Sequence, residues 1–344
     1  MANLVPIGPD VESQPLNDNF AALNDDIINV PHWINRNTII NGGFDIWQRG
    51  TSFDANGYTA DRWIVGFGAG GAGTVTRQSF TPGQTDVPGE PQYYMRISQT
   101  TPTASGHVVL GQRIEDVRSL AGQTVTLSFY ARVGSGNKVI GTRVQQNFGS
   151  GGSPNEDGPG KAHTITTSWQ RFTHTFAVPS ISGKTIGSNN YLFIRFLEES
   201  NYSTFNIDFA NIQLHVGDVE LPFQPRHIAE EWELCRRYTK VIGRSSPFQV
   251  FGHGYANTAT EAYIFIPLSP RGRVVPTLTS SGSFRLGTPG GPINVTSMSV
   301  STALSSPDLV VLQVSVASGL TSGQSVALQA NNDDNAILIF DMEL

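Results

Sequence analysis

Leu16, Phe20, Leu23, Ile27 and Val30 recur at alternating spacings of four and three, which is the apolar seam of a short coiled coil. Pro15 stands ahead of the run and Pro31 stops it, because proline cannot donate inside a helix. A helix of about 15 residues is marginal alone in water, so this one is expected to pack on its own body or on symmetry copies. From residue 37 the period changes to two. In Gln123–Val133, Val125, Leu127, Phe129 and Ala131 share one face, with Thr124, Thr126, Ser128 and Tyr130 on the other. That alternation predicts a half-buried antiparallel strand. Similar runs include Trp63–Phe67, Val108–Ile114, Tyr191–Phe196 and Phe205–Val216, divided by turn signals such as Pro82-Gly83 and Pro88-Gly89. The Gly-rich stretch 149–160 reads as a flexible surface loop, since it lacks the Lys-Ser/Thr and helix of a phosphate cradle.

Helical spacing returns at Ile228, Trp232, Cys235, Tyr238 and Ile242, with Glu230, Glu231 and Glu233 early and Arg236, Arg237 and Lys240 late. This charge order suits the helix dipole. The stripe could pack at a symmetry axis or on the chain's own sheets. Strand patterns resume from about 246 and end in the apolar run Ala336–Met342, which needs a pairing partner if it is not to aggregate. The reading is mainly β: an N-terminal coiled-coil helix (1–36), a jelly-roll β-sandwich (37–224), a connecting helix (225–245) and a second C-terminal β-sandwich (246–344).

Composition agrees with many short strands joined by turns. Of 344 residues 15% are charged, while Gly (36) and Pro (20) are plentiful, which disfavours a helical bundle or a charged disordered chain. A net charge of −6 gives no general attraction for nucleic acid. Cys235 is the only cysteine, so no internal disulfide forms, and its apolar helix face predicts a buried thiol. The start carries no signal-peptide pattern and no apolar run approaches a membrane span, so synthesis in a cytosol without membrane insertion is expected.

Three blocks resemble a domain recurrent in bacteriophage tail-fibre and other virion structural proteins. They are Asn37–Gly50 with Tyr58–Trp63, Leu110–Glu115 with Leu120–Arg132, and Phe209–Leu214 with Glu231–Tyr238. The same domain is similar to jelly-roll carbohydrate-binding modules, which share the Asn-Gly-Gly-Phe-acid opening (Asn41–Asp45) and a Ser-Trp strand start (Ser168-Trp169). Pro15-Leu-Asn-x-Asn-Phe-x-x-Leu23 resembles the short helix by which fibre subunits join a virion. The resemblance implies a homotrimeric fibre subunit, made in host cytoplasm and carried on the virion. Its N-terminus would meet tail, baseplate or capsid proteins, and its body a host-surface glycan. A capsid head fibre or decoration protein is the structural alternative, and a polysaccharide depolymerase the enzymatic one.

Candidate sites follow from both readings. In the carbohydrate-binding relatives an acid after the opening Phe and an Asp on the last strand help hold a structural calcium. The matching Asp45 and Asp208 are candidates here, with hydrogen bonds to backbone or Arg as the alternative, since calcium wants about six to eight oxygens. Arg143, Gln145 and Asn147 alternate outward on one strand, and such planar donors suit sugar hydroxyls. The loops Gly252–Tyr255 and Thr288–Pro292 are further candidate binding tips. Trp47 and Trp63 could stack on sugars, but their dense β context favours the core. Leu16, Phe20, Leu23, Ile27, Val30, Ile228, Trp232, Cys235 and Tyr238 are the candidate oligomerisation residues. Catalytic residues are not expected: no His-x-x-x-His pair and no Gly-x-Ser-x-Gly elbow occurs.

Overall fold

A computed structural model describes residues 37–103, 107–198 and 203–344. The seam at Leu16, Phe20, Leu23, Ile27 and Val30 lies outside the described residues. The first β module comprises β1 (Ser52–Phe53), β2 (Gly57–Tyr58), β3 (Trp63–Phe67), β4 (Ala72–Ser79), β5 (Tyr93–Thr101), β6 (Val108–Glu115), β7 (Thr124–Val133), β8 (Lys138–Asn147), β9 (Glu156–Ile165), β10 (Gln170–Ala177), β11 (Tyr191–Glu198) and β12 (Phe205–Val216). They form two antiparallel six-stranded sheets, ordered β1-β4-β5-β12-β7-β10 and β2-β3-β6-β11-β8-β9, stacked as a jelly-roll sandwich. Val125, Leu127, Phe129 and Ala131 are buried between the sheets, against Ile194, Phe196 and Phe209. The period-two pattern thus marks the core-facing side correctly.

The segment 149–160 corrects the loop expectation in its second half. Glu156–Ile165 is the edge strand β9, paired only with β8. Pro159 is tolerated there because an edge strand has one side free of ladder bonds.

The Asn-Gly-Gly opening is a turn pressed onto β12. The Gly42 carbonyl accepts from Ile212 N at 2.9 Å, and a Cβ at Gly42 would lie 2.1 Å from the Ile212 oxygen, so only glycine fits. Asn41 closes the turn, receiving from Ile46 N and donating to the Ile46 and Asp61 carbonyls. Trp47 and Trp63 are buried, with their indole N–H groups on the Phe44 and Asn41 carbonyls. They belong to the core.

The connecting helix is shorter than its spacing predicts. Helix α1 spans Ile228–Arg236, and Thr239–Gly243 forms strand β13 instead. Thr239, Val241 and Ile242 are β-branched, which favours a strand where a partner edge is free. That partner is β21 (Ile337–Asp341), which also pairs with β16 (Thr277–Ser281) on its other side. The apolar run at 336–342 is therefore paired on both edges. The rest of the C-terminal β module is a closed barrel of β14 (Val250–Ala256), β15 (Glu261–Pro267), β19 (Leu309–Val316), β18 (Gly291–Val300), β17 (Phe284–Thr288) and β20 (Ser325–Ala330). Among the described residues, no helix is long and apolar enough to cross a membrane.

A buried ionic knot joins the two modules. The Glu343 carboxylate, 4% exposed, meets Arg62, 1% exposed, and Arg49 at 3.4 Å. The Arg62 guanidinium also lies over the Tyr238 ring and donates to the Arg113 carbonyl. Arg273 holds the same segment, donating to the Met342 and Glu343 carbonyls at 2.7 and 2.6 Å. Removing one partner of such a pair strands a buried charge. Glu343→Ala is expected to lower unfolding stability by about 3 kcal/mol, read by denaturant melts, whereas Asp308→Ala, in an exposed pair with Arg271, changes it by less than about 1 kcal/mol.

The sandwich interior holds one polar group of note. The Thr142 hydroxyl lies 3.0 Å from His163 Nε2 and 2.9 Å from His174 Nδ1. Burial, then Lys161, pulls both imidazoles down to about 4. Between pH 6.5 and 4 the unfolded chain therefore binds protons that the folded chain refuses, so stability is full above that window and falls with acid. Asp45, raised to about 6 by desolvation and then by Glu231, acts in the opposite sense, but is one group against two. The melting temperature is expected to drop from pH 6.5 to 4, and His174→Gln to flatten part of that slope.

Candidate functional site

Strands β8, β11 and β9 lie side by side, with alternate residues facing away from the core. The register sets Asn147 across from Tyr191, Gln145 across from Phe193 and Arg143 across from Arg195. On the other flank Gln145 pairs with Asp157 of β9. The sequence candidates Arg143, Gln145 and Asn147 thus do share one outer face, and the fold adds Tyr191, Phe193, Arg195 and Asp157 to it.

Asp157 organises the polar half. Gln145 Nε2 and Arg195 Nη2 each donate to its Oδ1 at 2.8 Å, and Arg143 Nη1 reaches its Oδ2 at 3.3 Å. Arg195 is lowered from its ordinary value, first by burial, with Asp157 opposing and Arg143 adding. Asn147 Nδ2 donates to the Tyr191 hydroxyl at 3.3 Å. These contacts fix planar amides and guanidinium groups in place before any ligand arrives, which lowers the ordering cost of binding.

The aromatic half adjoins it. Tyr191 and Phe193 stand edge to face, their centroids 6.2 Å apart, and Arg113 lies over both rings. Phe193 covers Gly111, where a Cβ would be 2.4 Å from the ring. Beyond the ring opens a groove of about 480 Å³, lined by Ile64, Gly66, Val109, Arg113 and Phe193. An apolar wall beside a fan of planar donors is complementary to a pyranose, which has C–H faces and a rim of hydroxyls.

At Asp208 the structure shows the alternative to calcium, hydrogen bonds to Arg. Both Asp208 oxygens are occupied by guanidinium groups: Arg96 Nε and Nη2 at 2.7 and 2.9 Å, and Arg132 Nε at 2.9 Å. These bonds hold Arg96 above its ordinary value. Two cations supplying three donors neutralise this carboxylate and leave it little to offer a divalent metal. Asp45 lies instead in the Asn41–Trp47 turn, where desolvation and then Glu231 raise its carboxyl to about 6. Among the described residues no group of three or more His, Cys, Asp or Glu could hold a metal ion.

The second helical stripe is also partly corrected. Cys235 and Tyr238 are buried within the chain itself, and the Tyr238 hydroxyl donates to Glu115 at 3.0 Å. They cannot serve another subunit. Glu231 turns inward as well, accepting from Asn41 N and from Arg226, so α1 docks on the opening turn. Ile228 is exposed and Trp232 half-buried, and these two keep a surface. Gly252–Tyr255, expected as a loop, lies instead within β14, paired with β15 and β20 on its two sides, and Thr288–Pro292 spans the β17–β18 turn; His253, Pro289 and Pro292 line one groove on the barrel's outer wall.

Asp157, Tyr191, Phe193, Arg195 and Arg113 were not singled out by sequence. Tyr191, Phe193 and Arg195 do alternate within a recognised strand run. Asp157 sat in a stretch whose glycines read as loop.

No family model matches the chain, and no curated protein matches it. Among solved structures it is similar to a family 11 carbohydrate-binding module from Clostridium thermocellum in complex with a β-1,3-1,4-mixed-linked tetrasaccharide, at 15% identity over 50% of this chain and 98% of the module, TM-score 0.33. It is similar to the enzymatically active domain of bacteriophage CBA120 tailspike protein 4, at 17% identity over 53% of this chain and 21% of that one, TM-score 0.35. A cyclase from Fischerella sp. is similar to the same degree, at 13% identity over 52% of this chain and 96% of the cyclase, TM-score 0.35. These likenesses are slight, and no ligand or activity passes from them to this chain.

Chelation is expected to leave the melting temperature unchanged. Asp208→Ala, which strands Arg96 and Arg132, is expected to cost about 2 kcal/mol in a denaturant melt.

Proposed function

We propose that this chain is a non-catalytic, glycan-binding structural subunit of a bacteriophage tail fibre, made in host cytoplasm and carried on the virion. The observation that carries the binding reading is the outer face of β8, β11 and β9, where Arg143, Gln145 and Arg195 fan around Asp157 beside Tyr191 and Phe193. Host-surface polysaccharide is the ligand class this chemistry suits. Asp157 is bound by three donors on its own face, which favours holding a sugar over attacking one.

The virion placement rests on the motif resemblance of residues 37–240 and of Pro15–Leu23. In this reading residues 1–36 attach to tail or baseplate proteins. Leu16, Phe20, Leu23, Ile27 and Val30 bring three copies together, with Ile228 and Trp232 as an exposed accessory contact. Threefold display would raise weak single-site affinity through avidity.

Glycan-array screening of the full chain is expected to return host-surface saccharides. Phe193→Ala and Gln145→Ala should each weaken the best binder by roughly tenfold, a loss of about 1.4 kcal/mol, with both variants still folded by circular dichroism. Unchanged affinity in both variants, or release of reducing ends from the polysaccharide, would remove this reading.

A further inference from the structure

The C-terminal barrel presents a second groove, on the opposite module from the sandwich face. Its floor and walls follow from strand register. On the outer surface His253 faces Ala327, which faces Gly287, while Arg285 faces Gln329, and Tyr255 faces Ser325. The middle row is therefore low at Ala327, between His253 on one side and Gly287 on the other, where the Gln329 amide leans over the glycine, 3.1 Å from where its Cβ would stand. The β17–β18 hairpin raises Pro289 and Pro292 along one flank, giving a groove of about 390 Å³. Tyr255 stands exposed beside it, stacked with Phe265 at 6.2 Å.

The charge in this groove is one-sided. The chain carries a net charge of −6, yet the lining contains Arg285 and His253 and no Asp or Glu. Arg285 donates Nε to Gln329 Oε1 at 3.0 Å and packs over the Phe248 ring, which sets the plane of its guanidinium. Among the described residues no carboxylate pairs with it, so its terminal nitrogens are left for an acceptor from outside. A guanidinium held in plane takes a carboxylate through two parallel hydrogen bonds. The low wall at Ala327 admits a flat ring, with the Gln329 amide over Gly287 and the Ser325 hydroxyl on either side of it as polar partners.

We propose that this groove binds a carboxylate-bearing sugar unit of a polysaccharide, with Arg285 on the carboxylate and the pyranose lying over Ala327 against the Gln329 amide. A flat floor favours a sugar ring over an acidic peptide, whose side chains would need depth. The site is separate from the sandwich face and stands or falls independently of it.

The test uses the full chain with a glucuronate-terminated disaccharide and its glucose-terminated counterpart, followed by ligand-observed NMR titration. The acidic disaccharide is expected to bind at least tenfold more tightly. Arg285→Gln should erase that preference, and Ala327→Phe, which fills the floor from the solvent side, should abolish binding by both. Phe193→Ala should leave both affinities unchanged, so failure here and failure of the sandwich face are distinguishable. Equal affinity for the two sugars, no binding, a preference that survives Arg285→Gln, or displacement by a polyglutamate peptide at equal affinity would overturn the proposal.

Discussion

The buried carboxylate of Glu343 is the constraint on which the arrangement of this molecule depends. It sits between Arg62 and Arg49, both from the first module, while its own chain continues out of β21, the centre of a three-stranded sheet in the second. Arg62 adopts a left-handed backbone conformation, φ 73°, and still keeps its guanidinium inside the protein. Such a residue persists only where its surroundings over-determine it. Glu115 reinforces the junction from the first module, receiving two nitrogens of Arg237 and the Tyr238 hydroxyl. Two β modules joined by buried charge pairs form a stiff unit, because a small displacement would part the charges while they are still out of water.

Stiffness there leaves the outward faces free for recognition. In the sandwich, core residues and presented residues are the same strands read at alternate positions, so Val144 and Gln146 anchor what Arg143, Gln145 and Asn147 display. The barrel repeats the device: Val326 and Leu328 fill its interior while Ser325, Ala327 and Gln329 form a wall outside. Neither face requires a moving part. Binding by such surfaces gains from side chains already fixed by their neighbours.

Much of this was legible in the sequence, for identifiable reasons. Period-two alternation marks a strand's core face wherever one side is buried, as at Val125–Ala131, and it put Arg143, Gln145 and Asn147 on one outer face. It does not tell which strands are neighbours, so it could not bring Asp157 or Phe193 beside them. That knowledge is long-range pairing. The helix was overextended because Tyr238 and Ile242 keep helical spacing, while the free edge of β21, a century of residues later, draws Thr239–Gly243 into a strand. Asp208 stands where the resemblance implied a calcium ligand, but the sequence does not show that Arg96 and Arg132 lie across from it on β5 and β7.

The outer face of β8 and β11 is proposed as a preorganised sugar-binding surface. A crystal structure of the full chain with a host-surface oligosaccharide tests it most directly. The account predicts a sugar ring against Phe193 and Tyr191, with hydroxyls on Arg143 and Gln145 and little movement of either side chain. An oligosaccharide bound at saturation with that face left bare would contradict it.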